Sequence, residues 1–199
     1  QKYILRLEET AVSLNKCDNR ILVQDIKAPF PMPQFDNSAM DGFAVRSRDT
    51  KGASPENPVI LTMVHISSAG RPSNVSLNPG ECIQCMTGAK IPDGADAIIM
   101  VEDSSGFSDS DTVQIMIETF PGKHIRNMGE EIKEGEILIQ KGTTATPSEI
   151  GTCATFGYGE LVVSKKPKIA IFGTGDELIE SGKDLGEGQI YNSNLLTIH

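Results

Sequence analysis

Between residues 44 and 138 the sequence alternates short β-rich runs with turns, and this alternation is the strongest constraint on the fold. Gly, Pro, Ser, Asn and Asp dominate the turns, as at Asn78-Pro79-Gly80 and Pro121-Gly122. Short strands at this spacing need several neighbours to bury a face, so the pattern predicts a small barrel or sandwich. The predicted strands are residues 59–66, 81–86, 97–102, 112–118 and 137–140.

One helix is predicted before this region, and a second helix and a strand are predicted after it. Apolar residues recur every three or four positions from Ile4 to Leu14, which predicts an amphipathic helix over residues 2–16. The string Thr146-Pro147-Ser148-Glu149 has the residues of a capping box with proline at the first helical position, so a second helix is expected from there through residue 156. Residues 160–164 are predicted to form a strand.

The end of the sequence has the order of elements that opens a doubly wound α/β domain. Residues 168–172 are predicted to form a buried strand, Gly173-Thr174-Gly175-Asp176-Glu177 a turn, and a helix is expected to begin near Asn192. Ligands of such domains gather at the carboxyl ends of the strands. Asp176 and Glu177 are therefore candidates for a ligand site, with helix capping as the alternative for Asp176.

The chain is acidic, with 18 Lys and Arg against 27 Asp and Glu and a formal net charge of −9. This balance disfavours a nucleic-acid surface. No stretch approaches the roughly 20 apolar residues of a membrane span, and no signal-peptide pattern opens the sequence. We therefore expect a soluble, cytoplasmic protein without nucleic-acid or membrane partners. Because the sequence starts at Gln1 and stops at His199, we also expect it to be part of a longer protein.

Cys82 and Cys85 form a Cys-x-x-Cys pair, a spacing found in redox and zinc sites. The surrounding residues predict a strand, however, in which residues three apart point to opposite faces and have Cα atoms about 10 Å apart. That separation is beyond the reach of a disulfide. A zinc site would need two further ligands, and the three histidines offer no pair at suitable spacing. Both cysteines are therefore predicted to pack within the strand.

A polar cluster follows the proline-rich turn of residues 29–33. Asp36, Asn37, Ser38 and Asp41 lie within six residues, and the prolines prevent a helix, so the cluster is expected on a loop that ends where a strand starts at Gly42. Such a loop suits Mg²⁺, which takes one or two carboxylates and keeps water and phosphate oxygens as its other ligands. The same residue types also form ordinary turns, and from these residues alone a structural turn is the favoured interpretation.

Four strings between residues 33 and 194 favour a functional site over a structural turn. They are P-Q-F-D-N-S-A-M-D-G-F-A-V (33–45), M-T-G-A (86–89) with I-P-D-G-A-D-A (91–97), I-R (125–126) with G-E-E-I (129–132), and F-G-T-G-D-E-L (172–178) with G-E-G-Q-I-Y-N-S-N (186–194). In this order and spacing they resemble the signatures of the molybdopterin molybdenumtransferases, whose eukaryotic relative is the E domain of gephyrin. One site position departs from the family pattern, which usually has Asp where this chain has Glu131.

The resemblance implies a mixed α and β, multidomain and elongated protein. A discontinuous α+β linker domain would combine residues 1–27 with residues 141–165, and an inserted β-rich barrel or sandwich domain would span residues 28–140. Residues 166–199 would be the truncated start of a doubly wound α/β domain that binds molybdopterin. The chain would then correspond to roughly the N-terminal half of a family member.

The resemblance also implies roles for individual residues. It implies catalytic roles for Asp41, Thr87, Glu131 and Glu177. It implies substrate contacts for Asn37, Ser38 and Asp176. Lys123 and Arg126, which lie in a mixed-charge patch just before Glu130 and Glu131, are further candidates for substrate contacts, with an ordinary solvated surface as the favoured alternative. It implies that Asp36, Asp41 and Glu177 hold the metal ion.

The activity that follows from the resemblance is Mg²⁺-dependent insertion of molybdate into adenylylated molybdopterin, with release of AMP. The family resemblance further implies a homodimer whose active site is shared between subunits, and a molybdopterin adenylyltransferase as the upstream partner. Because these expectations concern the whole protein, this truncated chain is expected to be inactive alone. The alternative function is that of a gephyrin-like scaffold, in which the same fold presents a groove to a partner peptide.

Overall fold

The structure, a computed structural model, describes residues 7–198. Within that range the fold is mixed α and β, mostly strands with few helices. None of the helices in this range combines the length and the apolar character that a membrane crossing requires. The helices are α1 (Pro147–Thr155) and α2 (Ser193–Ile198). The strands are β1 (Glu9–Ser13), β2 (Arg20–Ile21), β3 (Ile26–Lys27), β4 (Asn37–Ser38), β5 (Gly42–Val45), β6 (Val59–Ser67), β7 (Glu81–Cys85), β8 (Ala97–Met100), β9 (Thr112–Ile115), β10 (Ile125–Arg126), β11 (Ile137–Ile139), β12 (Thr144–Ala145), β13 (Glu160–Ser164), β14 (Leu178–Ile179) and β15 (Ile190–Tyr191).

The largest sheet has the strand order β8-β5-β7-β6-β9. All of its pairings are antiparallel except the parallel pair β6 and β7. The chain leaving β8 crosses to the opposite edge, where Ser105 N–H donates to the Gln114 carbonyl at 2.9 Å and Ser104 bridges Ile115. The sheet therefore curls on itself, because its two edges are linked through this segment.

The predicted strands of this sheet are present, with corrected ends. β6 and β7 match the predicted ranges to within one residue. β8 stops at Met100, where a 3₁₀ turn over Val101–Asp103 begins, and β9 stops at Ile115. Both strands are shorter than predicted because the chain turns where the two edges meet.

The central strands are buried on both faces. Successive residues of β5 and β7 alternate between two apolar clusters, as a strand period of two requires. Cys82 packs in one cluster and Cys85 in the other, which confirms the prediction that both pack within the strand. Burial raises the pKa of the Cys82 thiol to about 12 and that of Cys85 to about 11, so neither thiol is an available nucleophile at neutral pH.

A second core forms between α1 and the short sheets around it. β1 pairs with β13, β2 with β12 and β3 with β11, each antiparallel. The predicted capping box of α1 is present, since the Thr146 and Glu149 side chains and backbone bond reciprocally and Pro147 opens the helix. The residues buried in this core are Cys17, Leu22, Ile26, Ile139, Ala145, Cys153, Leu161 and Val163.

The predicted helix over residues 2–16 is wrong in its described part. Residues 9–13 form β1, and a 3₁₀ turn follows over Leu14–Lys16, while residues 2–6 lie outside the described range. The side chains of β1 alternate between exposed and half-buried, with the β-branched Thr10 and Val12 facing inward. Pairing with β13 overrode the local helical spacing, since β13 has buried Leu161 and Val163 and needs a neighbouring strand.

The predicted buried strand at residues 168–172 is also absent. This segment has no regular structure, and the side chains of Ile169 and Phe172 are 78% and 82% exposed. A buried parallel strand needs neighbours on both sides. The described part of this region offers only the two-residue parallel pair of β14 and β15, followed by α2 close to where a helix was predicted.

Candidate functional site

Three of the four recognised strings meet around β4. On one side β4 pairs antiparallel with β10, so that Arg126 lies opposite Asn37. On the other side Ser38 N–H donates to the Ala89 carbonyl at 3.0 Å, and Gly88 N–H donates to the Ser38 carbonyl at 2.8 Å. Strings that are far apart in the sequence thus form one small three-segment ribbon.

The loop after this ribbon is held in place by its exit into β5. A Cβ atom on Gly42 would lie 1.9 Å from the Ile99 carbonyl oxygen, so only glycine allows β5 to start this close to β8. Ser38 is fully buried, and its hydroxyl donates to the Met40 carbonyl at 2.5 Å and accepts from the Met40 N–H at 3.3 Å. The Ser38 side chain therefore shapes the loop that presents Asp41.

Asp41 and Thr87 form the best-defined polar contact of the ribbon. Asp41 Oδ1 accepts hydrogen bonds from the backbone N–H and from the hydroxyl of Thr87, each 2.7 Å long. These bonds hold the pKa of the Asp41 carboxyl below its usual value, with the backbone N–H contributing most. No described residue donates to Oδ2, and both side chains are exposed. The result is an ionised carboxylate with one oxygen fixed and the other open to a ligand.

Asp36, Asn37 and Arg126 line the other end of the ribbon. Asp36 Oδ1 accepts from the Met128 N–H at 2.7 Å, and Asn37 Nδ2 donates to the Phe35 carbonyl at 3.2 Å. Two buried polar atoms here have no hydrogen-bond partner in the described structure, Asn37 Oδ1 and Arg126 Nε.

Lys123 joins this ribbon to the five-stranded sheet and His124 joins it to the loop before β5, each through its backbone carbonyl. The Lys123 carbonyl accepts from Ile98 N–H at 3.0 Å, and the His124 carbonyl accepts from Ala39 N–H at 2.9 Å. The Lys123 Nζ atom lies 5.6 Å from the centroid of the Phe120 ring, a cation–π contact. Burial, aided by the neighbouring Lys123 charge, lowers the pKa of His124 against the opposing pull of Asp103.

The remaining predicted site residues lie apart from this ribbon. Glu131 is exposed, and its backbone N–H donates to the Met32 carbonyl at 3.0 Å, just before the loop begins. Asp176 and Glu177 are exposed in the turn before β14, where the Glu177 carboxylate lies against Gly175. No hydrogen bond or ion pair in the described structure joins either residue to the ribbon.

Of the residues predicted to hold a metal ion, Asp41 suits Mg²⁺, but the three together do not form a site within the described chain. Among residues 7–198, no group of three or more His, Cys, Asp or Glu side chains is arranged to hold a metal ion, so Asp36, Asp41 and Glu177 do not form a three-ligand cage within one chain. Asp41 nevertheless offers an ionised, exposed oxygen. Mg²⁺ sites commonly use one or two carboxylates together with water and substrate phosphates, and Asp41 suits such a site.

Lys90 is a candidate that the sequence reasoning missed. It lies opposite Asn37 on the side away from Arg126, so the three residues form one row across the ribbon. The only signal in the sequence is its position next to the Met86-Thr87-Gly88-Ala89 string. Its alignment with Asn37 depends on strand register, which the sequence does not display.

Comparisons with known proteins place the sequence in a family. The family described as "MoeA N-terminal region (domain I and II)" matches residues 1–157. A molybdopterin molybdenumtransferase 2 of Mycobacterium tuberculosis is 42% identical over 187 residues, which are 94% of this chain and 46% of that protein. A molybdopterin molybdenumtransferase of Staphylococcus aureus is 39% identical over 183 residues, which are 92% of this chain and 43% of that protein.

A solved structure has the same fold over the whole chain. The molybdopterin biosynthesis MoeA protein of Pyrococcus horikoshii aligns with a TM-score of 0.87 and 32% sequence identity, covering 100% of this chain and 50% of that one. The fold of the described residues is mixed α and β, mostly strands with few helices, like that of this solved structure. The chain belongs to the MoeA N-terminal region family, as the resemblance implied. It spans about half the length of the curated relatives that it matches.

Proposed function

We propose that this chain is part of an enzyme of molybdenum cofactor biosynthesis, a transferase that inserts molybdate into adenylylated molybdopterin and releases AMP. The observation that carries the proposal is the Asp41–Thr87 contact, which presents a fixed, ionised carboxylate on the surface. The names of the curated relatives support the same reaction class.

In the proposed site, Asp41 orients the phosphate-bearing part of the substrate from its open oxygen, while Thr87 keeps the carboxylate in one orientation. A fixed charge needs no reorganisation when the substrate binds, which is why such anchoring favours catalysis. Arg126 provides positive charge on the same ribbon. Glu131 is proposed as a supporting carboxylate, and Asn37, Lys123 and Asp176 as substrate contacts. Ser38 is fully buried, so its proposed part is to shape the loop that presents Asp41.

Asp41, together with Asp36 and Glu177, would hold Mg²⁺ in the assembled protein. Bound there, the ion would neutralise charge on phosphate oxygens as the linkage to AMP breaks. We propose that these carboxylates come from two subunits of a homodimer. Among the described residues these three carboxylates do not gather into one group, which supports this arrangement, because a site that uses all of them then needs a second copy.

The test uses the full-length protein and two variants, Asp41→Asn and Glu177→Gln. Each variant alone is expected to lose molybdate insertion with little loss of thermal stability, since both side chains are exposed and both changes are nearly isosteric. When the two inactive variants are mixed under conditions that allow subunit exchange, heterodimers carry one intact site. Activity should then recover to at most about half of the wild-type value per dimer.

Two outcomes would contradict the proposal in different ways. Full activity of Asp41→Asn would remove the Asp41–Thr87 contact from the site. A lack of recovery, despite demonstrated heterodimers, would mean that Asp41 and Glu177 act within one chain and that the shared-site part is wrong. A Glu9→Gln variant, which changes a carboxylate on β1 remote from the ribbon in sequence, serves as the matched control and should retain activity.

A further inference from the structure

The segment that follows β10 is held by hydrogen bonds along its whole backbone. Every backbone N–H from residue 127 to residue 132 donates to an acceptor of this chain. Side-chain carboxylates accept the first two bonds: Glu130 Oε2 accepts from the Asn127 N–H and Asp36 Oδ1 accepts from the Met128 N–H, each at 2.7 Å. Backbone carbonyls accept the other four, at distances between 2.9 and 3.2 Å. So complete a set of bonds fixes the path of the segment.

The bond from Asn127 to Glu130 closes a type of turn that recurs among the described residues. In each turn, which we call a closed turn, the N–H of the first residue donates to the side chain of the fourth, and the N–H of the fourth donates to the carbonyl of the first. The third residue is a glycine with positive φ, a conformation that favours glycine. The closed turns are residues 78–81, 127–130, 133–136 and 186–189.

The closing side chain does not need a charge. Three of these turns are closed by a glutamate, but the turn of residues 186–189 is closed by the carboxamide oxygen of Gln189, at 2.8 Å. The closing carboxylates of Glu130 and Glu136 are both exposed, so neither bond is required to satisfy a buried charge. What the closing side chain provides is a fixed backbone geometry.

The closed turn of residues 127–130 differs from the others in what it connects. The other three lead into strands β7, β11 and β15. This one instead joins Arg126, the last residue of β10, to Glu131, and the proposed function places both of these residues at the site. The N–H that Glu130 accepts belongs to the peptide bond directly after Arg126. Closure of the turn therefore fixes the backbone of Arg126 and its distance along the chain from Glu131.

We infer that Glu130 is a positioning residue of the proposed site. Its carboxylate closes the turn after Arg126 and thereby sets the spacing between the Arg126 guanidinium and the Glu131 carboxylate. Glu130 acts through geometry rather than through its charge, and it does not contact the substrate. The inference deepens the proposed function, on which it rests for the roles of Arg126 and Glu131.

The first test measures the position of Arg126 without any assay of activity. The Nε atom of Arg126 is buried, so its hydrogen should exchange slowly with solvent and give a resolved signal in a nitrogen NMR spectrum of this chain. Glu130→Ala should accelerate this exchange by about tenfold or more, because the end of β10 is then free to open. Glu130→Gln keeps an oxygen that can close the turn, as Gln189 does, and should match the wild type.

The matched control is Glu136→Ala. It removes the same contact, from Glu136 Oε2 to the Lys133 N–H, in the closed turn that leads into β11. Exchange of the Arg126 Nε hydrogen should be unchanged in this variant.

The second test measures molybdate insertion by the full-length protein. Glu130→Ala should lower the rate by about tenfold or more, since a small displacement of positioned groups is costly for catalysis. Glu130→Gln and Glu136→Ala should retain the wild-type rate. Rescue by glutamine separates a positioning role from a direct role of the charge, which glutamine would not restore.

The outcomes separate this inference from the proposed function. Unchanged exchange at Arg126 in Glu130→Ala would overturn the inference, and so would full activity of that variant in an active protein. A Glu130→Gln variant as impaired as Glu130→Ala would also overturn it, because the charge would then act directly. An equal effect of Glu136→Ala would overturn it as well, since the effect would not be specific to this turn. A full-length wild type without molybdate insertion would reject the proposed function, while the exchange measurements would still decide whether Glu130 fixes Arg126.

Discussion

The loop that presents Asp41 and the turn that presents Glu177 each carry an exposed carboxylate, but their surroundings in the structure differ. Residues 37–41 are bonded on two sides by segments from elsewhere in the chain and continue into β5, which is buried along its whole length. The turn at residues 173–177 is followed by only a two-residue parallel pair, β14 with β15. Apolar side chains around it remain largely exposed.

The difference shows that the support of a site loop comes from the strands that pair around it. The loop of Asp41 has its supporting strands within this chain. Two hydrogen bonds from Thr87 fix the Oδ1 atom of Asp41, and the close approach at Gly42 fixes the start of β5. The turn of Glu177 lacks such support in the described residues. The curated relatives continue well beyond the segment that this chain matches.

The largest expected effect is that of Gly42→Ala. Its Cβ would lie 1.9 Å from the Ile99 carbonyl oxygen and 2.9 Å from the Ile99 carbonyl carbon, both backbone atoms of a central sheet. We expect the free energy of unfolding to fall by about 4 kcal/mol or more, measured by urea denaturation.

The matched control is Gly173→Ala in the other region. There the new Cβ would lie 2.5 Å from Asn192 Nδ2, the far end of a side chain that can turn away. The cost should stay below about 1 kcal/mol. Equal losses in the two variants would show that the turn of Glu177 is as tightly supported as the loop of Asp41.

A second effect is expected in amide hydrogen exchange of the intact chain, measured by mass spectrometry. Amides of β5 should exchange only through global unfolding, because β5 is hydrogen-bonded on both sides and fully buried. Amides of β14 and β15 should exchange orders of magnitude faster, since a pair of strands only two residues long can open without unfolding the rest of the chain. Comparable protection in both regions would contradict the difference drawn between them.

The smallest expected effect is on the pKa of the Asp41 carboxyl. Its carboxyl should titrate below the ordinary value of 3.8 in a carbon-detected NMR experiment. Thr87→Val removes the hydroxyl donor but keeps the backbone N–H, which contributes most, so the pKa should rise only part of the way. Thr87→Ser keeps both donors and should match the wild type.

The hydrogen bonds between Asp41 and Thr87 also predict how the stability of the fold changes with pH. Because the Asp41 pKa is lowered by folding, its carboxylate stabilises the fold above the pKa of the unfolded chain, and this contribution disappears as the pH falls through the lowered folded value. Thr87→Val should therefore lose less stability on acidification than the wild type. An unchanged Asp41 pKa in Thr87→Val would show that the hydroxyl does not bond the carboxylate in solution.

Local patterns predicted the elements whose signals lie within a few residues. The capping box at Thr146 and Glu149, the strand that begins at Gly42 and the packing of Cys82 and Cys85 on opposite faces are all present. The helix over residues 2–16 failed in its described part because pairing with β13 decided the conformation of residues 9–13. The buried strand at residues 168–172 failed because burial requires neighbours that the described chain does not supply.

The candidate site divides in the same way. The strings identified Asp36, Asn37, Asp41, Thr87 and Arg126, whose side chains or register the structure brings to one ribbon, although their proposed roles stay predictions. The inward orientation of the Ser38 hydroxyl and the alignment of Lys90 with Asn37 could not be predicted. Both depend on which strands pair and in what register.

The sequence by itself determined the family and the chemical types available to the site, because these are properties of residues read in order. Only the tertiary structure decided that Asp41 has one oxygen tied to Thr87 and one free, and that two cations flank a buried, unpartnered amide. The physical reason is that hydrogen bonds and like-face neighbours join segments of this chain that are 46 and 89 positions apart, Asp41 with Thr87 and Asn37 with Arg126. Such contacts arise from sheet register, and register is set by the packing of the whole sheet rather than by any local string.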